Sequence, residues 1–148
     1  AFLRTRIEFI NSFFASGEVD EIWITFPDPQ LKKQRVKKRL TSPQFLGYYA
    51  KFLKPDGVVH LKTDSRHLHE YTKAVIERNA LPLLACGDDI YGTGMADTDL
   101  SIQTAYERKF REQGLPITYL RFMLGGRSEF EVPDFEEDDN LDASQLGE

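Results

Sequence analysis

Cysteine, long apolar runs and late positive charge are all scarce in this chain. A single cysteine, Cys86, excludes an internal disulfide and fits a reducing, cytoplasmic setting. No apolar run approaches the ~20 residues of a membrane-spanning helix, and the N-terminal residues carry no signal-peptide pattern. Also missing is a strand, glycine-rich loop and helix in succession, the unit that lets backbone approach a nucleotide-like cofactor. Gly92-Thr93-Gly94 is too short for it, and Gly125-Gly126 has no helix after it. His60, His67 and His69 lack nearby cysteines or clustered acids at ligand spacing, so no bound metal is expected. Lys and Arg are absent after Arg127.

That last absence changes how the charge is read. The formal net charge is -5, from 24 acids and 19 basic residues, but nine of the acids lie in residues 129–148. The remaining body carries 19 basic residues against 15 acids, a balance of +4. Its positive charge concentrates at Lys32 to Arg39, where six of eight residues are basic. A local field of that kind attracts phosphate whatever the net charge. The acidic segment, with two phenylalanines and much charge, reads as a mobile or loosely docked extension beyond a body of residues 1–128. With 148 residues, 41% hydrophobic and 29% charged, the chain suits one soluble globular domain.

Immediately before the basic run, Ile22, Trp23, Ile24 and Phe26 form the short bulky stretch expected of a buried parallel strand. Pro27 and Pro29 end it, since neither can continue a sheet ladder or a helix. Asp28 is thereby placed at the strand's C-terminal mouth, where open α/β sheets bind their ligands. A turn-forming aspartate is the plainer reading of the same residues.

Alternation of strands and helices continues along the chain. Ile7, Ile10, Phe13 and Phe14 suggest a helix over 4–15, closed by Gly17. Ser42 and Pro43 form an N-cap and first-turn pair for a helix burying Phe45, Tyr49 and Phe52. Pro55-Asp56-Gly57 turns the chain into a second strand, 58–61, which ends in Lys62-Thr63-Asp64. Leu68, Tyr71, Val75 and Ile76 stripe the next helix. A weaker strand over 82–91, holding a packed Cys86, leads into a polar loop, a helix over 101–113 and a last strand over 117–124. Thr104 and Glu107 have capping-box spacing.

This order predicts an α/β fold, part of a doubly wound, mainly parallel sheet whose last strand enters antiparallel. The strand over 21–26 reads as central, yet its neighbour on one side is not in this sequence. An upstream segment of a longer enzyme, or self-association through the uncovered edge, is expected to cover it.

Phe26-Pro27-Asp28-Pro29 followed by Lys32 to Arg39 resembles the bacterial tRNA (guanine-N7)-methyltransferase family. The likeness extends to His60-Leu61-Lys62-Thr63-Asp64 and to Thr104-Ala105-Tyr106-Glu107, and covers most of residues 17–122. It departs at Gln30, where the family usually carries Trp, and near the start, where relatives commonly carry an acid contacting adenine and this chain offers Arg6, with Glu8 two residues later.

The resemblance implies the class I methyltransferase fold, S-adenosylmethionine as cofactor and tRNA as partner, with methylation of guanine N7 at position 46 of the variable loop. It implies a catalytic and cofactor-binding role for Asp28, and substrate contacts from Lys32, Asp64, Thr104, Ala105, Tyr106 and Glu107. RNA contacts are implied for Lys33, Gln34, Arg35, Val36, Lys37, Lys38 and Arg39. The family's glycine-rich cofactor loop would lie upstream of Ala1, so this stretch alone would bind the cofactor poorly. Two alternatives remain open: a nucleic-acid methyltransferase acting on exocyclic amines, which normally places an aromatic where Gln30 stands, and a non-catalytic RNA-binding module.

Overall fold

A computed structural model describes residues 3–91 and 105–137. Its centre is a four-stranded sheet of β1 (Val19–Thr25), β2 (Leu53–Thr63), β3 (Leu83–Gly87) and β4 (Thr118–Met123), in the order β1-β2-β4-β3. β1 and β2 pair in parallel, while β4 runs antiparallel to both β2 and β3. Three strands therefore share one direction and the last is reversed, as the sequence predicts.

One face of this sheet carries the main core. Ile22 and Ile24 on β1 align with Val59 and Leu61 on β2, and these with Phe122 and Leu120 on β4. α1 (Pro43–Ala50) and α2 (Arg66–Arg78) contribute Phe45, Leu46, Tyr49, Leu68, Tyr71 and Val75 to the same cluster. Side-chain caps start both helices: Ser42 Oγ accepts from the Phe45 N–H at 3.4 Å, and Ser65 Oγ from the Leu68 N–H at 3.1 Å. On the other face a smaller cluster joins Ile90, Ile117 and Tyr119 to Phe26, Ala85 and Tyr91. α3 (Ala105–Glu112) follows.

Four local expectations differ from the fold. The 4–15 segment forms a 3-10 helix only at Ile7–Ser12, with no residue buried and Phe9, Phe13 and Phe14 exposed. Without an apolar face fully covered, a short segment lacks most of what stabilises an α-helix. The second strand begins earlier than read, at Leu53, because Lys54 to Gly57 bulge out of a ladder that resumes at Glu21↔Val58. Gly57 is required there, since a β-carbon would lie 2.6 Å from the Leu53 side chain. β3 spans only part of the 82–91 stretch, and Cys86 is exposed because β3 is an edge strand.

β1 is the other edge. Ile24 is buried but Trp23 is 41% exposed, so the expected burial on both faces is not present among the described residues. Trp23 instead stacks flat on His60 at 3.7 Å. Beside β1 lies an open apolar groove of about 450 Å³, lined among others by Ile7, Ile10, Val19, Ile22 and Phe52.

Candidate active site

The parallel pair β1–β2 brings two of the three sequence motifs to one rim. Thr25 aligns with Lys62, and the Phe26 N–H donates to the Lys62 carbonyl at 2.8 Å as the last rung. Beyond it Pro27 has no N–H to give, and the chain leaves the sheet. Phe26 and Gln30 both adopt left-handed backbone, each with φ 49°. For a bulky residue such as Phe this is a strained conformation, of the sort that concentrates at functional sites. Between them Asp28 is exposed, its Oδ1 accepting from the Gln30 N–H at 2.9 Å. Asp28 thus shapes a turn, and its carboxylate reaches solvent at the strand's mouth.

Asp64 lies at the end of β2, half-buried. Burial pushes its carboxyl above the usual value, partly opposed by a backbone hydrogen bond. The adjoining Thr63 is fixed by Thr118, whose hydroxyl donates to the Thr63 carbonyl at 2.7 Å. Lys62 points its ammonium at Glu107 of α3, with 2.8 Å between Nζ and Oε1 and both side chains almost fully enclosed. The Tyr91 hydroxyl donates to the same carboxylate, and Arg111 covers the Tyr91 ring at 3.8 Å. Glu107 therefore stands beside the end of β2 in a buried ion pair, a partner set the sequence reading did not give it. Ala105 opens α3. Thr104 and the side chain of Tyr106 lie outside the described residues.

The basic run divides. Lys32, Lys33, Gln34, Arg35, Lys37 and Lys38 are exposed, while Val36 is half-buried and packs on the core. Residues Lys33–Lys38 form a 3-10 helix, which avoids a longer α-helical face stacking like charges at successive turns. Arg39 departs from its expected RNA role because its side chain is wholly enclosed. Its Nε donates to the Pro29 carbonyl at 3.0 Å and Nη2 to the Gln30 carbonyl at 3.2 Å. Glu137 accepts from Nη1 at 2.7 Å and from Nη2 at 2.9 Å, and the Tyr71 ring lies 4.4 Å from the guanidinium carbon. No face is left for a phosphate.

Glu137 belongs to the acidic extension, which is not loosely docked over its described part. Phe135 packs edge-on against His67 and Tyr71. Asn79 exchanges two hydrogen bonds with the Glu131 backbone, at 2.7 and 3.0 Å. Sequence reasoning missed this docking because it weighed composition; the two phenylalanines, Phe130 and Phe135, were the available signal.

For a metal, the described residues offer His69, Cys86 and Asp88, whose ligand atoms lie within 4.8 Å of one another. Metal-binding histidines normally donate from their second ring nitrogen, but His69 Nδ1 is buried without a partner. Arg66 meanwhile lies 3.3 Å from Asp88. Partial burial pushes the Cys86 thiol up, so it is not an activated thiolate. Arg6 is exposed and pairs with Glu8 at 3.6 Å.

Comparison with known proteins agrees with these motifs. The Methyltransf_4 family model, whose description is that of a methyltransferase, matches residues 2–120. The chain is 52% identical over 136 residues to the tRNA (guanine-N(7)-)-methyltransferase of Bacteroides thetaiotaomicron, covering 92% of this chain and 53% of the relative. It is 53% identical over 138 residues to the protein of the same name from Porphyromonas gingivalis, covering 92% and 56%. A third, from Levilactobacillus brevis, is 40% identical over 112 residues, covering 76% and 51%. The chain thus spans about half the length of the curated relatives it matches. With four-fifths of its residues inside the family match, this chain belongs to the methyltransferase family.

Proposed function

We propose that this chain forms the substrate-gripping half of an enzyme that transfers a methyl group from S-adenosylmethionine to N7 of a guanine in tRNA, the variable-loop guanine at position 46. The observation that carries this reading is the exposed Asp28 on its strained loop at the rim of β1–β2, the rim at which Asp64 follows β2 and which leads into an exposed cationic 3-10 helix. The names of the relatives support the same chemistry. A cytoplasmic location accords with it; among the described residues no helix is long and apolar enough to cross a membrane.

Guanine N7 holds a free lone pair, so it attacks an electrophilic carbon without first losing a proton. The residues' task is alignment and charge placement, not strong general-base catalysis. Asp28, exposed and acceptor-only when ionised, takes hydrogen bonds from guanine N1–H and the exocyclic amine, and its charge opposes the positive charge that develops on the ring. Asp64 adds a second acceptor on the same rim. Glu107, Ala105, Tyr106 and Thr104 contribute from α3 and the residues before it, and Lys32 meets the nucleotide phosphate. Lys33, Gln34, Arg35, Lys37 and Lys38 follow the RNA backbone, with Val36 anchoring them to the core. The exposed bulk of the basic run is better suited to this than to a purely solvated face.

The rim fits the cofactor from one side only. A carboxylate at Asp28 suits a sulfonium cation, while the described residues offer no glycine-rich turn for its nucleoside. When bound, S-adenosylmethionine supplies the activated methyl group. In this reading Asp28 also contacts the cofactor.

Full-length protein incubated with labelled S-adenosylmethionine and tRNA, followed by mapping of the modified atom, tests this. N7 methylation is expected, and Asp28→Ala should lower it by about 10²–10³-fold, the scale of removing a group that stabilises developing charge, with RNA affinity retained. Methyl on an exocyclic nitrogen, or RNA binding without transfer, would replace this reading with one of its two rivals.

A further inference from the structure

We infer that Glu137, carried on the C-terminal extension, is a positioning residue for the reaction: it holds the Arg39 guanidinium against the Pro29 and Gln30 carbonyls and thereby fixes the loop that presents Asp28. This rests on the catalytic reading of Asp28 given above.

The chain of contacts is short. Gln30 sits at its centre, its carbonyl accepting from Arg39 Nη2 at 3.2 Å and its N–H donating to Asp28 Oδ1 at 2.9 Å. The Arg39 Nε bond to the Pro29 carbonyl, at 3.0 Å, holds the neighbouring peptide. Phe26 and Gln30, both with φ 49°, mark a loop that departs from relaxed backbone at each end. Strained loops persist only when their surroundings over-determine them, and Arg39 supplies two of the bonds that do so.

Arg39 cannot do this alone. Its guanidinium is fully enclosed, and a buried cation without an anion is strongly disfavoured. Glu137 meets it with two near-parallel bonds, at 2.7 and 2.9 Å, the bidentate geometry for which the planar fork is suited. The carboxylate is itself held: His67 Nε2 lies 2.8 Å from Oε2, and only 9% of the Glu137 side chain is exposed. Tyr71 closes the other side of the guanidinium. The extension reaches this point by docking along α2, through Asn79 to Glu131, Arg78 to Glu131 at 3.0 Å, and Phe135 on His67 and Tyr71. A segment beyond the last strand thus reaches the loop that follows the first.

A merely structural clasp would stabilise the fold without tuning the loop, and the test separates the two. In full-length protein, Glu137→Gln is compared with wild type for kcat and KM of tRNA methylation and for amide hydrogen exchange at Gln30. The expected result is a roughly tenfold or larger fall in kcat, tRNA KM within about twofold, and faster exchange at Gln30 while β2–β4 amides keep their protection. Unchanged kcat and unchanged Gln30 exchange would overturn the inference. If that variant folds poorly, Arg39→Met with Glu137→Leu replaces the pair by apolar side chains, a change that tends to preserve stability. A folded double variant with normal kcat would also overturn it, whereas a stable variant with low kcat upholds it. Because the exchange measurement needs no turnover, a wild-type protein that transfers no methyl to tRNA defeats the functional reading separately from this one.

Discussion

Within the eight residues from Lys32 to Arg39, two kinds of cation stand side by side. Lys32 and the 3-10 helix Lys33–Lys38 display exposed charges, while Arg39, one residue on, is fully enclosed. The difference lies in what each head group meets. Residue type alone does not decide it, since Arg35 is exposed beside the lysines; the planar Arg39 guanidinium is enclosed where it finds acceptors for several directed bonds at once. Arg39 makes four such bonds, two to loop carbonyls and two to Glu137. One stretch of charge therefore serves two purposes, an outward field and an inward bolt.

Three measurements sharpen or break that contrast. The largest effect is expected from Arg39→Ala, which leaves Glu137 enclosed without its main cation and should cost about 3–5 kcal/mol of stability by denaturant unfolding. A loss within about 0.5 kcal/mol would place Arg39 with the exposed cations.

Acid should produce a smaller, graded effect. Burial pushes the Glu137 carboxyl up, but hydrogen bonds from Arg39 and His67, together with their charge, outweigh it and hold it below the usual glutamate value. Arg39, His67 and Tyr71 are the charged and titratable groups that face it. A depressed folded value means that the stabilisation is complete above the ordinary glutamate range, near 4.3, and fades as pH falls through the lower folded value. The gap in unfolding temperature between wild type and Glu137→Gln should therefore be constant near neutrality and close below about pH 4. A gap that persists undiminished at pH 3 would mean that the carboxylate's charge is not what matters.

Lys37→Ala and Lys38→Ala should have the smallest effect on stability, within about 0.5 kcal/mol. Their consequence is expected in RNA binding instead. Each should flatten the slope of log affinity against log salt by roughly 0.7–0.9. Unchanged slopes would remove these lysines from the RNA path.

Much of the architecture was legible because it depends on local pattern. The Ser42-Pro43 helix start, the apolar runs of β1 and β2 and the stripe from Leu68 to Ile76 each declare themselves within a few residues. Asp28 was legible for the same reason, since two prolines flank it. Arg39 was not. Its fate depends on Glu137, 98 residues away, and no spacing rule links the two. The Lys62–Glu107 pair, joining the end of β2 to α3, is hidden in the same way. The exposure of Trp23 and Cys86 likewise follows from strand order, which places β1 and β3 at the edges.

The docking of Glu131, Phe135 and Glu137 bears on how the protein can be shortened. Charge composition suggests a cut after Ser128, which looks like trimming a dispensable acidic appendage. Such a deletion would strand the Arg39 guanidinium and unroof Tyr71, so a chain cut after Ser128 should lose far more stability than one cut just after Glu137.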